Sequence, residues 1–302
     1  NSDGIINLEE NAKVGKLLSS LYPSEKIIDV EITPNRSDCL GVYGIARDLS
    51  ASGYGTLIEK KIPKIKNNFK SKINVKITND AKSICPVFYG RYIKNVKNCE
   101  SPDWLKKQLK AIGLKPISAL VDITNYLTID FNRPLHVFDA DKIKGNLEIF
   151  LSKGGENFKA LDEQNYKLSK DMLAIKDNQN ILSVAGIIGG ISSMCNSETK
   201  NVFLESAYFN PKSIAKTGRL LNIETDARHR FERGVDPQSV SSGINEATKL
   251  ILEICGGEVS DLTCDGKIPI NKKNIFFDTK KIESFVGIKI SEKKINDILK
   301  NL

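Results

Sequence analysis

An apolar run that ends in an acid constrains this chain more than any other feature: Val202, Phe203 and Leu204 lead straight into Glu205. Such a run reads as a buried strand, and a carboxylate there needs either a partner or a ligand to hold. The same stretch, residues 202–236, closes on a cluster of charge: Asp226, Arg228, Arg230, Glu232 and Arg233. Two readings of Glu205 follow. It pairs with Arg228 or Arg230 as a buried bridge, or it faces a pocket and recognises a polar group there. The other charged residues of the cluster read as a network that stabilises the fold.

The 302 residues suffice for two domains, or for one large domain with appendages. Forty per cent apolar and 27% charged residues are ordinary for a globular chain. No stretch holds the roughly eighteen apolar residues of a membrane span, and no charged-then-apolar leader opens the chain. A cytoplasmic location without membrane contact is therefore expected. The six cysteines lack CxxC spacing and there are only two histidines, which argues against a zinc site and against a metal-dependent hydrolase. The net charge of +8 permits an anionic partner such as nucleic acid, but only eight of the 45 basic residues are arginine, and the lysines are spread along the chain. Asn1 at one end and an uncapped Leu302 at the other suggest a piece of a longer protein.

Local patterns favour α+β over a doubly wound sheet, because no regular βαβ alternation appears. Val14–Leu21 has helical spacing and Ile27–Ile32 reads as a strand. A Thr33–Asp38 turn and a helix from Leu40 to Ala51, ended by Gly53, follow. Lys60–Lys72 reads as a linker. Beyond it, Ile73–Ile77, Tyr89–Ile93, Leu147–Leu151, Met172–Ile175 and Ile181–Val184 read as strands. Ser101 is expected to cap a helix with Pro102 at its first position, and Ser118 a second helix through Leu127. Asp236-Pro237 is expected to open a helix whose Val240, Ile244, Ala247, Ile251 and Ile254 share a face, ended by Gly256-Gly257. Pro269 marks a boundary, and Ser291 opens a last amphipathic helix.

Few residues offer chemistry. His136, just after Pro134, is either a core histidine or a group that polarises an ester or orients water. Residues 181–190 run from a strand into a glycine turn that matches no nucleotide-binding fingerprint. No nucleophile elbow is present, and Cys195 is far in sequence from His136, so any hydrolysis must use water directly.

Six segments in order carry a resemblance: Asp29–Leu40, Val121–Tyr126, Arg133–Asp141, the Ala185–Gly190 turn, Leu204–Ala207 and Arg230–Pro237. Together they closely resemble the β subunit of bacterial phenylalanyl-tRNA synthetase, over essentially the whole chain. The resemblance implies that residues 1–66 are the end of the small N-terminal (B1) domain, 70–265 the B3/B4 tRNA-editing domain, and 270–302 the start of B5. It implies an α+β fold, with a mixed-sheet editing domain flanked by small α/β appendages. The implied activity is hydrolysis of tyrosine misattached to phenylalanine tRNA. Aminoacylation, with its ATP and magnesium, belongs to the α subunit and the full heterotetramer of two α and two β chains, and no cofactor is expected in this stretch.

By the same resemblance Glu205 recognises the tyrosine hydroxyl, while His136, Thr124 and Asn125 lie near the ester and terminal adenosine. Ala185, Gly189, Thr225 and Ala227 form the pocket wall. A synthetic pocket for phenylalanine rejects an added hydroxyl only about 10²-fold, which is why a second sieve is needed. An arginine often found just before the Val121–Tyr126 motif is absent, Ser118 and Ala119 standing there. With the high lysine content, that supports an alternative: a non-catalytic scaffold and tRNA-binding module of the same synthetase.

Overall fold

In the computed structural model, which describes residue 8 and residues 10–21, 26–269 and 274–302, two sheets share one core and helices cover the outer face of one of them. The N-terminal part carries α1 (Leu18–Leu21) and α2 (Val42–Ser52), the latter closed by Gly53 in the left-handed conformation. Then come β1 (Val75–Ile77), β2 (Val87–Lys94), α3 (Asp103–Ala111), α4 (Ala119–Asp130), β3 (His136–Asp139) and β4 (Leu147–Leu151). A hairpin of β5 (Asn157–Lys159) and β6 (Asn165–Lys167) leads to β7 (Leu173–Lys176), β8 (Ile181–Val184), β9 (Ile188–Gly189) and β10 (Val202–Tyr208). The chain continues through α5 (Pro211–Leu221), α6 (Asp226–Arg233), α7 (Ser239–Cys255), β11 (Glu258–Gly266), α8 (Ile282–Val286) and α9 (Glu292–Asn301).

One sheet has the order β1-β4-β7-β8-β9, parallel only between β1 and β4; the other, β11-β2-β10-β3, is antiparallel throughout. The fold is α+β. Strand alternation sends successive side chains of β10 to opposite faces. Phe203 and Ala207 enter the core shared with the five-stranded sheet, while Val202 and Leu204 pack with Leu120, Ile123 and Leu127 of α4 and with Ile244, Ala247 and Ile251 of α7. Glu205 therefore faces the inter-sheet core, on the side away from those helices.

Several local expectations are corrected. Ile27–Ile32 forms no strand; Ile27, Ile28 and Val30 are exposed, with no neighbouring strand among the described residues to take their backbone hydrogen bonds. Helix α1 holds only the last four residues of Val14–Leu21 and buries none of them. Ser101 does not cap α3: its hydroxyl donates to buried Asp122 (2.5 Å), and Pro102 itself occupies the cap. Ser118 stands at the α4 cap without a side-chain bond, and that helix runs on to Asp130. Helix α7 starts two residues beyond Pro237, with Asp236 accepting from the Gln238 amide. The end of the expected linker joins the sheet, Asn68 donating its amide to the Val259 carbonyl. Residues 1–7 and the 270–273 boundary lie outside the described residues.

Candidate functional site

Three strands set the position of Glu205. It stands directly across from His136 on β3 and from Gly90 on β2. Gly90 has no side chain to fill the space, and a Cβ there would lie 2.1 Å from the Phe203 ring. The Glu205 side chain is buried, with no ion pair among the described residues, and its Oε2 is sealed from solvent without a hydrogen-bond partner. Burial pushes its pKa up to about 8, so the carboxyl is protonated at neutral pH.

The bridging alternative fails on geometry. Arg228 Nε pairs with Glu232 Oε2 (3.0 Å) and Arg230 NH1 with Asp226 Oδ1 (2.7 Å), both one turn apart on α6. Arg233 reaches Glu232 (3.4 Å). Arg228 also donates to the Ile223 carbonyl, and Gly218 of α5 leaves room for its guanidinium, since a Cβ there would fall 2.1 Å from Nε. The network of the sequence reading is present on α6, apart from Glu205.

His136 keeps a partly accessible edge but sits deep enough that burial lowers its pKa to about 4, so its imidazole is neutral at pH 7. Its ring lies edge-on to Phe138, with centroids 4.4 Å apart. Gly189 on β9 abuts it: a Cβ at that position would sit 2.4 Å from Cε1 and 2.8 Å from Nε2. The imidazole is thus where the two sheets touch. Thr225 caps α6 and donates its hydroxyl to the Ile187 carbonyl (2.8 Å), fastening that helix to the turn between β8 and β9. Ala185 is buried at the start of this turn, and Ala227 packs against the same core.

Glu205, His136 and Gly189 therefore meet between the sheets, Ala185 and Thr225 gather at the β8–β9 turn that carries Gly189, and Ala227 packs against the same core. Thr124 and Asn125 are not joined to it by any hydrogen bond among the described residues. Thr124 spends its hydroxyl on the Val121 carbonyl (2.7 Å), and α4 packs on the opposite face of the four-stranded sheet.

Sequence reasoning missed Gly90 and Cys85. The pairing of β2 with β10 puts Gly90 beside the acid, and Cys85 is a fully buried thiol that Glu205, when ionised, pushes further up. Neither has a local signal, because the juxtaposition arises from strands over a hundred residues apart. Burial raises Cys85 well above the ordinary value and Cys195 to about 12, so neither thiol is primed for attack. Among the described residues the one group spaced like metal ligands is Asp38, Cys39 and Asp48. It does not fit a cation, because Arg36 and Arg47 already occupy both carboxylates and the Cys39 thiol is pushed up to about 11.

A protein-family model described as the B3/4 domain matches residues 84–256, from just before β2 to the end of α7. The chain belongs to that family. It is 48% identical over 305 residues to the phenylalanine–tRNA ligase beta subunit of Ruegeria pomeroyi, covering 99% of this chain and 38% of that protein. It is 49% identical over 292 residues to the beta subunit of Cereibacter sphaeroides, covering 96% and 36%. The chain spans little more than a third of these curated relatives. The resemblance to the phenylalanyl-tRNA synthetase β subunit read from the motifs holds. A solved N-terminal fragment of the phenylalanyl-tRNA synthetase beta-subunit from Pyrococcus horikoshii is 17% identical, with a TM-score of 0.46, covering 89% of this chain and 74% of that one. Among the described residues no helix is long and apolar enough to cross a membrane.

Proposed function

We propose that this region of a phenylalanine–tRNA ligase hydrolyses tyrosine misattached to phenylalanine tRNA, with water as the attacking group. The observation that carries the reading is a buried acid with no cation partner and an orphaned oxygen, set beside a neutral imidazole at the meeting of two sheets. A tyrosine hydroxyl satisfies that oxygen; phenylalanine leaves it unpaired. A hydrogen bond to a charged group contributes about 1.5–3 kcal/mol, and a neutral carboxyl roughly half of that. Burial keeps Glu205 protonated until a donor arrives, and a phenol donating to it favours the ionised form, so tyrosine entry is coupled to proton release.

Neutral His136 can accept a proton from water or donate its N–H to an ester oxygen. The backbone around Ala185–Gly189, where small residues leave room, holds the ring and the developing oxyanion. Thr124 and Asn125 are assigned to the terminal adenosine. Residues 70–265 are assigned to the editing domain, 1–66 and 270–302 to its B1 and B5 neighbours. Aminoacylation, ATP and magnesium are assigned to the rest of the heterotetramer, in the cytoplasm.

The test is deacylation of tyrosyl-tRNA(Phe) by the complete ligase and by its Glu205→Ala version. Loss of at least ten-fold in kcat/KM with tRNA affinity retained supports the assignment. Equal rates remove Glu205 from its role, and no hydrolysis by either, with tRNA still bound, favours the scaffold reading.

A further inference from the structure

We propose that the free guanidinium edges of Arg230 and Arg233, on α6 beside Thr225, bind a backbone phosphate of the RNA that brings the ester to Glu205; this rests on the proposed editing reading. Glu224, Thr225, Asp226 and the charged side chains of α6 line an open concavity of about 540 Å³, and Thr225 of that lining bonds the Ile187 carbonyl in the β8–β9 turn, next to Gly189 and the His136 ring.

The arginines of α6 are not equivalent. Arg228 is consumed by structure, bonded to Glu232 and the Ile223 carbonyl and backed by Gly218. Arg230 is nine-tenths buried and lines the concavity, yet uses only NH1, on Asp226. Arg233, one turn on, also uses only NH1, on His229 and Glu232. The Nε groups of both are sealed from solvent without a partner. Each guanidinium keeps its NH2 uncommitted among the described residues, and a shift of either side chain that opens Nε completes the side-on fork that matches two oxygens of a phosphate.

The His229 pKa is lowered first by burial and then by the positive charges of Arg233 and Arg230, which outweigh the raising influence of Asp226 and Glu232. An anion seated on the two forks opposes that depression. Glu224 at the rim is exposed and can swing clear.

The experiment compares the complete ligase with its Arg230→Gln and Arg233→Gln versions. Affinity for uncharged phenylalanine tRNA is measured across a salt series, and hydrolysis is followed with tyrosyl-tRNA(Phe) and with tyrosine methyl ester, which carries no phosphate. The expected result is tRNA binding weaker by about ten-fold for either variant. The salt slope should be shallower by about one unit, with a matching rise in KM for tyrosyl-tRNA, an unchanged kcat and an unchanged rate on the methyl ester. Unaltered tRNA affinity and slope overturn the proposal, as does equal loss on both esters, which would mean that α6 only props the pocket. If the parent hydrolyses neither ester, the editing reading fails while the affinity comparison still decides the phosphate site. Arg233→Gln, at a half-buried position, guards against misfolding of the Arg230 variant. As a separate readout, inorganic phosphate should raise the NMR-measured pKa of His229 in the parent and leave it unmoved in Arg233→Gln.

Discussion

Glu205 and His136 face each other across one strand pair with opposite titration behaviour, and both are held neutral by burial. The Glu205 pKa of about 8 lies above the ordinary 4.5, so the folded protein holds an extra proton between those values. Its contribution is fully present below about pH 4.5 and is lost as pH rises through 8. Removing the ionisable group in Glu205→Gln should therefore leave stability near native at pH 5 and exceed native by on the order of 3 kcal/mol at pH 8.5, read by urea unfolding. A gap that does not change with pH would contradict the burial of this acid. For His136 the sign is reversed: its contribution is present above about 6.5 and lost as pH falls through 4. Gly189 supplies a steric check. In Gly189→Ala the new methyl meets the imidazole, so hydrolysis of tyrosyl-tRNA(Phe) should drop at least ten-fold while thermal unfolding moves by only a few degrees. Wild-type hydrolysis by the variant would return His136 to a purely structural role.

Between β3, β10, α6 and α7 the connection is made by Arg133, the largest fully buried side chain. Its NH1 donates to the Ala207 carbonyl at the end of β10 (2.8 Å), its Nε to Ser239 Oγ (2.8 Å), and its NH2 to the Asp236 carbonyl between α6 and α7. Gly243 on α7 gives it room, since a Cβ there would lie 2.5 Å from its Cγ. Truncation takes the guanidinium away from the buried end of β10 and from the Asp236–Ser239 turn, and leaves a cavity beside α7. Arg133→Ala should cost on the order of 3–5 kcal/mol, measured by denaturant unfolding of the chain. A loss below about 1 kcal/mol would mean that the α6–α7 junction is held by other contacts.

For the molecule as a whole, the proposed hydrolysis by water has a direct consequence. The Asp38–Cys39–Asp48 group is filled by two arginines, and the inter-sheet region offers one acid and one imidazole. Pre-treatment with a chelator should leave the deacylation of tyrosyl-tRNA(Phe) unchanged in an assay without ATP. Activity that disappeared and came back with zinc would call for a metal-dependent hydrolase instead.

The apolar run into Glu205, the glycine-closed helices α2 and α7 and most strands of the two sheets were legible in the chain, because apolar run length, glycine caps and β-branched content act over a few residues, although β10 does not end at the acid but runs on to Tyr208. The same local signals misplaced Ile27–Ile32, whose strand-like composition meets no partner, and Ser101, whose hydroxyl a buried carboxylate takes from the helix cap. Only the tertiary structure decided whether Glu205 would be neutralised by an arginine or left alone. Arg228 and Arg230 find carboxylates one turn away on their own helix, while Glu205 is carried by β10 to the inter-sheet face opposite His136 and Gly90. Sequence determines which residues are charged and which segments are apolar; the pairing of distant strands determines which charge is desolvated, and desolvation holds an otherwise ordinary glutamate in its neutral form.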